Sequence, residues 1–164
     1  MKKIPILVFS LLIIFIMVII ILIFINPFSQ TYKNRHSFKK SISFLSEEIQ
    51  EVTFNDLVSF DWDFVYSFHP YISNKEINEI LGFESNKPLE MMNEYLESIV
   101  FVKNQEVVCY FVESPLSLKF SFDFGKGEFH KTESREIDFW KISKNDYIIL
   151  KVEIKNEIKY FTVL

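Results

Sequence analysis

The sequence predicts an α+β domain carried on one N-terminal transmembrane helix, the domain being an antiparallel sheet with short helices on one face. Three observations predict it. Residues 4–25 are an almost unbroken apolar run, IPILVFSLLIIFIMVIIILIFI. Helical spacing and a helix-capping signal dominate residues 41–96. From residue 98 onward, apolar residues recur with period two between short polar turns, the pattern of a strand meander.

The elements follow in order. Met1-Lys2-Lys3 is a short basic tail, residues 1–3. Only Pro5 and Ser10 interrupt the run 4–25, and Pro5 falls in the first turn, where its missing N–H costs nothing. Twenty-two residues at helical rise span about 33 Å, enough for a hydrocarbon core of about 30 Å. A cleaved signal peptide has a shorter apolar region and a small-x-small exit, whereas this run exits through Asn26-Pro27-Phe28-Ser29-Gln30. An uncleaved signal anchor in the lipid bilayer is therefore expected. No cysteine lies near the run, which excludes a lipoprotein anchor. Lys2 and Lys3 favour a cytoplasmic N-terminus, while Lys33, Arg35, Lys39 and Lys40 pull the other way. The short basic tail ahead of a long apolar run decides the expectation for a domain outside the cytoplasm, at the cell membrane.

Residues 26–40 read as a basic, polar tether, and residues 41–164 as the soluble acidic domain. In 41–50, Ile42, Leu45 and Ile49 are spaced three and four apart, which predicts a short helix. In 61–71 (DWDFVYSFHPY), Trp62, Phe64, Tyr66 and Phe68 alternate with Asp63, Val65 and Ser67, a strand with one aromatic face that Pro70 ends. Ser73-Asn74-Lys75-Glu76 is a capping box ahead of Ile77, Ile80 and Leu81, and Gly82 closes that helix. Residues 86–96 predict a further helix with Pro88 in its first turn and Leu89, Met92 and Leu96 on one side. Residues 98–103 and 106–113 form a hairpin about Asn104-Gln105. Residues 116–124 put Leu118, Phe120, Phe122 and Phe124 on one strand face, and Gly125-Lys126-Gly127 is a turn. Strands over 137–142, 146–154 and 159–163 complete the chain, with turns at Lys144-Asn145 and Asn156-Glu157.

Charge is divided along the chain. Residues 1–40 hold six Lys or Arg and no acid; residues 41–164 hold twelve Lys or Arg against twenty-two Asp or Glu, a balance of minus ten. Such a domain repels phosphate backbones, so no nucleic-acid partner is expected. Cys109 is the single cysteine, which forbids an intramolecular disulfide, and three scattered histidines give no zinc-ligand spacing. No metal or cofactor is expected.

The densest polar and aromatic cluster is Asp61, Trp62, Asp63, Tyr66, His69, Pro70 and Tyr71. Asp63 and His69 could work as base and orienter, or Asp61 and Asp63 hold a cation. The plainer reading is that Asp61, Asp63 and His69 share strand parity and face solvent opposite a buried aromatic face. No nucleophile has a supporting pattern. Cys109 lies mid-strand among Val107, Val108, Tyr110 and Phe111, no serine lies in a Gly-x-Ser-x-Gly elbow, and Gly125-x-Gly127 precedes no helix. No catalytic residue is assigned, and the cluster stands as an interaction or structural motif.

Phe60-Asp61-Trp62-Asp63-Phe64-Val65-Tyr66-Ser67-Phe68-His69-Pro70-Tyr71, the capped helix ending at Leu81-Gly82, and the later hairpin carry a resemblance. Over residues 52–113 the chain resembles a group of small membrane- or lipid-anchored proteins of Gram-positive bacteria that share an F-D-W-D-x-x-Y-x-F-x-P-Y segment. This chain has Phe64 where the pattern often has Lys, and it lacks a lipobox cysteine. The resemblance implies a helix-anchored, extracytoplasmic member and implies no activity. The expected function is a non-catalytic interaction or ligand-binding domain with a protein partner in the cell envelope. A membrane-associated immunity-type protein against a toxin, and an envelope hydrolase using Asp61, Asp63 or His69, are the alternatives.

Overall fold

A computed structural model describes residues 12–17, 30–46, 48–125, 127–131 and 135–164. Within 30–164 the chain forms two sheets packed face to face, with helices at two of their margins. The elements are α1 (Gln30–Phe44), β1 (Glu51–Thr53), α2 (Phe54–Leu57), β2 (Phe64–Phe68), α3 (Asn74–Leu81), β3 (Glu97–Lys103), β4 (Glu106–Glu113), α4 (Pro115–Leu118), β5 (Phe120–Asp123), β6 (Glu128–Lys131), β7 (Glu136–Ser143), β8 (Ile149–Lys155) and β9 (Ile158–Val163). The larger sheet is antiparallel, in the order β4-β3-β2-β7-β6; the smaller has the order β1-β8-β9-β5.

The larger sheet is apolar on both faces. In β3 the five residues 98–102 are all buried, so each face needs its own cover. Between the sheets lies one core, built from Phe54, Trp62, Val65, Ile99, Phe101, Phe111, Phe120, Leu150 and Phe161 with Phe38 and Ile42 of α1. On the far face Tyr66, Phe68, Val100, Val102 and Phe139 pack with Ile72, Ile77 and Leu81 of the α3 region and with Leu89 and Met91. Phe rings of the inter-sheet core meet both edge-to-face, as in Phe38 on Phe101 at 5.1 Å and Phe111 on Phe120 at 5.6 Å, and stacked, as in Phe122 on Phe161 at 4.6 Å.

Local signals produced the local structure expected of them. The α3 capping box is complete: Glu76 N–H donates to Ser73 Oγ, Ser73 N–H donates to Glu76 Oε2 at 2.9 Å, and Gly82 ends the helix at φ 77°. Asn104-Gln105 and Asn156-Glu157 both take positive φ at each residue, the two-residue turn that matches strand twist. Phe120 and Phe124 are buried and Phe122 packs beside them, so this aromatic face is core and not an exposed platform.

Other expectations are corrected. The single antiparallel sheet is two sheets, and β5 runs parallel to β9, pairing Phe120 with Lys159 through Asp123 with Thr162. The far side of β2 is therefore not solvent: Val65 lies in the inter-sheet core. The basic segment 26–40 is not a plain tether, because α1 begins at Gln30 and buries Asn34, Phe38 and Ile42 at intervals of four. Its Asn34 Nδ2 and Arg35 Nη1 donate to the carbonyls of Val108 (3.0 Å) and Tyr110 (2.9 Å), covering the open edge of β4. Lys159 Nζ donates to the carbonyls of Ile42 (2.8 Å) and Leu45 (2.7 Å) at the helix's other end. Residues 86–96 are an extended strap rather than a helix. Leu89 and Met91 are buried at period two while Met92 is exposed, and the Leu89 and Met91 amides donate to Asn74 Oδ1 and the Ile72 carbonyl. Residues 116–124 are not one strand. Pro115 starts the short α4, and Lys119 at φ 65° turns the chain into β5.

The transmembrane helix is corrected as well. Among the described residues no helix is long and apolar enough to cross a membrane. Of the expected span 4–25, residues 12–17 are helical with exposed side chains, and residues 4–11 and 18–25 lie outside the described residues.

Candidate functional site

The residues singled out in the sequence do not converge. Asp61 is exposed and held between Lys103 Nζ (2.9 Å) and Lys144 Nζ (3.1 Å), which keep its carboxyl below its usual pKa. Asp63 is a junction. Its N–H donates to the Val102 carbonyl (2.8 Å), its carbonyl accepts from Lys144 N–H (2.9 Å), and its Oδ2 accepts from Asn104 N–H (2.8 Å). These two acids thus tie the β3–β4 turn to the β7–β8 turn. Trp62 is buried against Phe54 and Phe101. Tyr66 is buried on the opposite face, stacked on Phe68, and burial followed by the nearby charge of Glu128 raises its pKa. Pro70 follows the end of β2. Tyr71 sits at φ 62° with its ring exposed, and its carbonyl accepts from the Arg135 guanidinium, which also bonds Glu76.

Asp63 and His69 flank β2, six residues apart along extended chain, or about 20 Å. They cannot act as one catalytic pair. Cys109 is fully buried, and burial pushes its thiol pKa up, away from a reactive thiolate. Among the described residues, no group of three or more His, Cys, Asp or Glu side chains is placed to hold a metal ion.

Of the seven residues in that polar and aromatic cluster, His69 lines a cavity. Where the sheets part at the β5 edge, a cleft of about 170 Å³ opens between β2, β3 and β7 on one side and the end of β5 on the other. Ser67, His69, Glu97, Trp140, Phe122 and Phe124 line it. Strand parity explains this set. Glu97 shares a face with Ile99 and Phe101, Ser67 with Val65, and Trp140 with Ile142, all toward the inter-sheet space. Phe124 and Gly125, just after β5, line one end. Gly125 takes φ 81° with its N–H on Asp123 Oδ1 (2.9 Å). Gly127 passes so close to β7 that a Cβ there would lie 2.1 Å from Asp138 Oδ1 and 2.6 Å from the Phe139 carbonyl.

Glu97 is the focus of the cleft. The Ser121 hydroxyl donates to its Oε1, and the Phe122 amide also bonds its carboxyl. Burial outweighs both and raises its pKa to about 7. Its Oε2 is buried and has no partner among the described residues. Trp140 stacks on Phe124 at 4.5 Å, and its buried Nε1 has no partner either. At the rim His69 Nε2 meets Asp138 Oδ2 at 3.2 Å, and Asp138 Oδ1, beside Gly127 rather than in the cleft, is buried with no partner among the described residues. The Ser98 hydroxyl is also unpartnered, but by strand parity it points to the other face. Buried polar atoms are usually hydrogen-bonded, so Glu97 Oε2 and Trp140 Nε1, two unpartnered atoms among the described residues of one cavity, mark a place where a ligand's polar groups would be matched. A wider depression at the exposed end of α3, lined by Asn78, Gly82 and Phe83, gathers no such atoms.

Sequence reading missed Glu97, Ser121 and Trp140. One signal for Glu97 was present: an acid on the inward parity of an otherwise apolar strand, ESIVFVK. Nothing local announces that β5 would be brought over it. No known protein family matches the chain, and neither a curated protein nor a solved structure matches it.

Proposed function

We propose that this domain is a non-catalytic binding module whose ligand seat is the cleft around Glu97 and Trp140. The observation that carries the reading is the pairing of Glu97 Oε2 and Trp140 Nε1, both buried and without a partner among the described residues, at a cavity with aromatic walls. An acceptor, a donor and a flat apolar surface together can fix the orientation of a small molecule. The volume of about 170 Å³ is close to that of an engineered cavity, about 150 Å³, that holds benzene. It suits a compact ligand or one side chain of a partner protein.

The chain has two tryptophans, one in the cleft and one sealed in the core, so their indole N–H signals report ligand entry and fold integrity separately. Titrating the ¹⁵N-labelled chain with small amines, amides, alcohols and carboxylates at millimolar concentration should move the Trp140 signal for at least one class and leave Trp62 in place. No movement of Trp140 with any class would overturn the reading.

A further inference from the structure

We propose that the ligand of this cleft carries a primary ammonium group, with Glu97 as its counter-ion and the rings of Trp140 and Phe122 beside it. The inference rests on the cleft being the ligand seat. Three observations select a cation. The acceptor Glu97 Oε2 is buried with no partner among the described residues, and an ionised carboxylate in that position calls for a compensating positive charge. Among the described residues lining the cleft there is no Lys or Arg; the charged ones are Glu97 and Asp123, with His69 engaged by Asp138 at the rim. The remaining wall is aromatic, and ring faces attract cations. Trp140 Nε1 is a donor, so a ligand bearing an acceptor next to its ammonium group, as an amino alcohol does, would satisfy both ends of the cleft.

Recognition of this kind depends on Glu97 being ionised. The titratable and charged groups around it are Asp123 on β5, His69 and Asp138 at the β2–β7 rim, and Glu113 opposite it on β4. Glu113 is itself neutralised by Arg35 and Lys39 of α1. Glu97 takes up a proton as pH falls through about 7, so ammonium affinity should drop about tenfold for each pH unit below that point.

The test uses the full ¹⁵N-labelled chain and the Trp140 indole signal. The probes are ethanolammonium and n-propylammonium, with n-propanol and propionate as neutral and anionic counterparts of similar size. The expected result is a saturable shift with the two ammonium ions at pH 8, about a hundredfold weaker binding at pH 5, and loss of the cation preference in Glu97→Gln with the Trp62 signal unchanged. The pH comparison needs no variant and stands if Glu97→Gln fails to fold. An equal response to propanol, a preference for propionate, or ammonium binding unchanged by pH would overturn the ammonium inference and leave the ligand seat standing. Silence of Trp140 toward every probe at both pH values would overturn the seat itself, and this inference with it.

Discussion

Replacing Glu97 by glutamine should make the domain more stable, and more so the higher the pH. In the native structure burial raises the carboxyl from the usual 4.5 to about 7. Between those values the unfolded chain has already released the proton that the folded chain still holds. Stability contributed by this group is therefore complete below about pH 4.5 and is lost as pH rises through 7. At about 1.36 kcal/mol per pH unit, that displacement corresponds to about 3 kcal/mol at pH 8. The carboxyl is not wholly enclosed, and solvent screening brings the expected effect to about 1–2 kcal/mol. Glutamine keeps the shape: its oxygen accepts the Phe122 amide and its NH₂ can donate to Ser121. Asp61 and Glu153 have depressed values, so the stability they contribute is present throughout this range and is lost only at more acid pH. Urea unfolding followed by tryptophan fluorescence at pH 5, 6, 7 and 8 measures the difference, provided the transition is two-state. Wild type should lose about 1–2 kcal/mol relative to Glu97→Gln between pH 5 and 8. Parallel pH profiles for the two proteins would refute the reasoning and show that the Glu97 carboxyl is effectively solvated.

Two further substitutions probe how the cleft is assembled. Phe38→Ala removes a fully buried ring of α1 that touches Phe101, Phe111 and Phe120, and should cost about 3–5 kcal/mol; a loss below 1 kcal/mol in urea unfolding would mean that α1 is a dispensable appendage. Gly127→Ala drives a methyl group into the Phe139 carbonyl and the Asp138 carboxylate, and should lower stability by about 1–3 kcal/mol and shift the Trp140 indole signal as the turn lifts from β7; an unmoved Trp140 signal would separate the turn from the cleft.

The sequence by itself determined what depends on neighbours in the chain. The capping box Ser73 to Glu76 and the stop at Gly82 need only one helical turn to be satisfied. The turns Asn104-Gln105 and Asn156-Glu157 bind strands that are adjacent in sequence, and period two marks β7, β8 and β9. α1 was legible only afterwards, because three buried residues spaced by four leave a mostly polar helix with no broad apolar stripe. Residues 86–96 misled for the related reason that Leu89, Met92 and Leu96 fit a helical face equally well until Asn74 and Ile72 took their backbone amides. The F-D-W-D motif was conspicuous because Trp62 and Tyr66 enter opposite cores while Asp61 and Asp63 fasten two turns; its density reflects packing. The cleft belongs to the tertiary structure. Glu97, Ser121 and Trp140 lie on three strands, and they meet only because β5 pairs in parallel with β9 and carries its free edge over the larger sheet. Non-local pairing of that kind has no periodicity to announce it. It is decided by which apolar faces of the finished sheets must cover each other, and a carboxyl at the margin of that contact is desolvated only once they do.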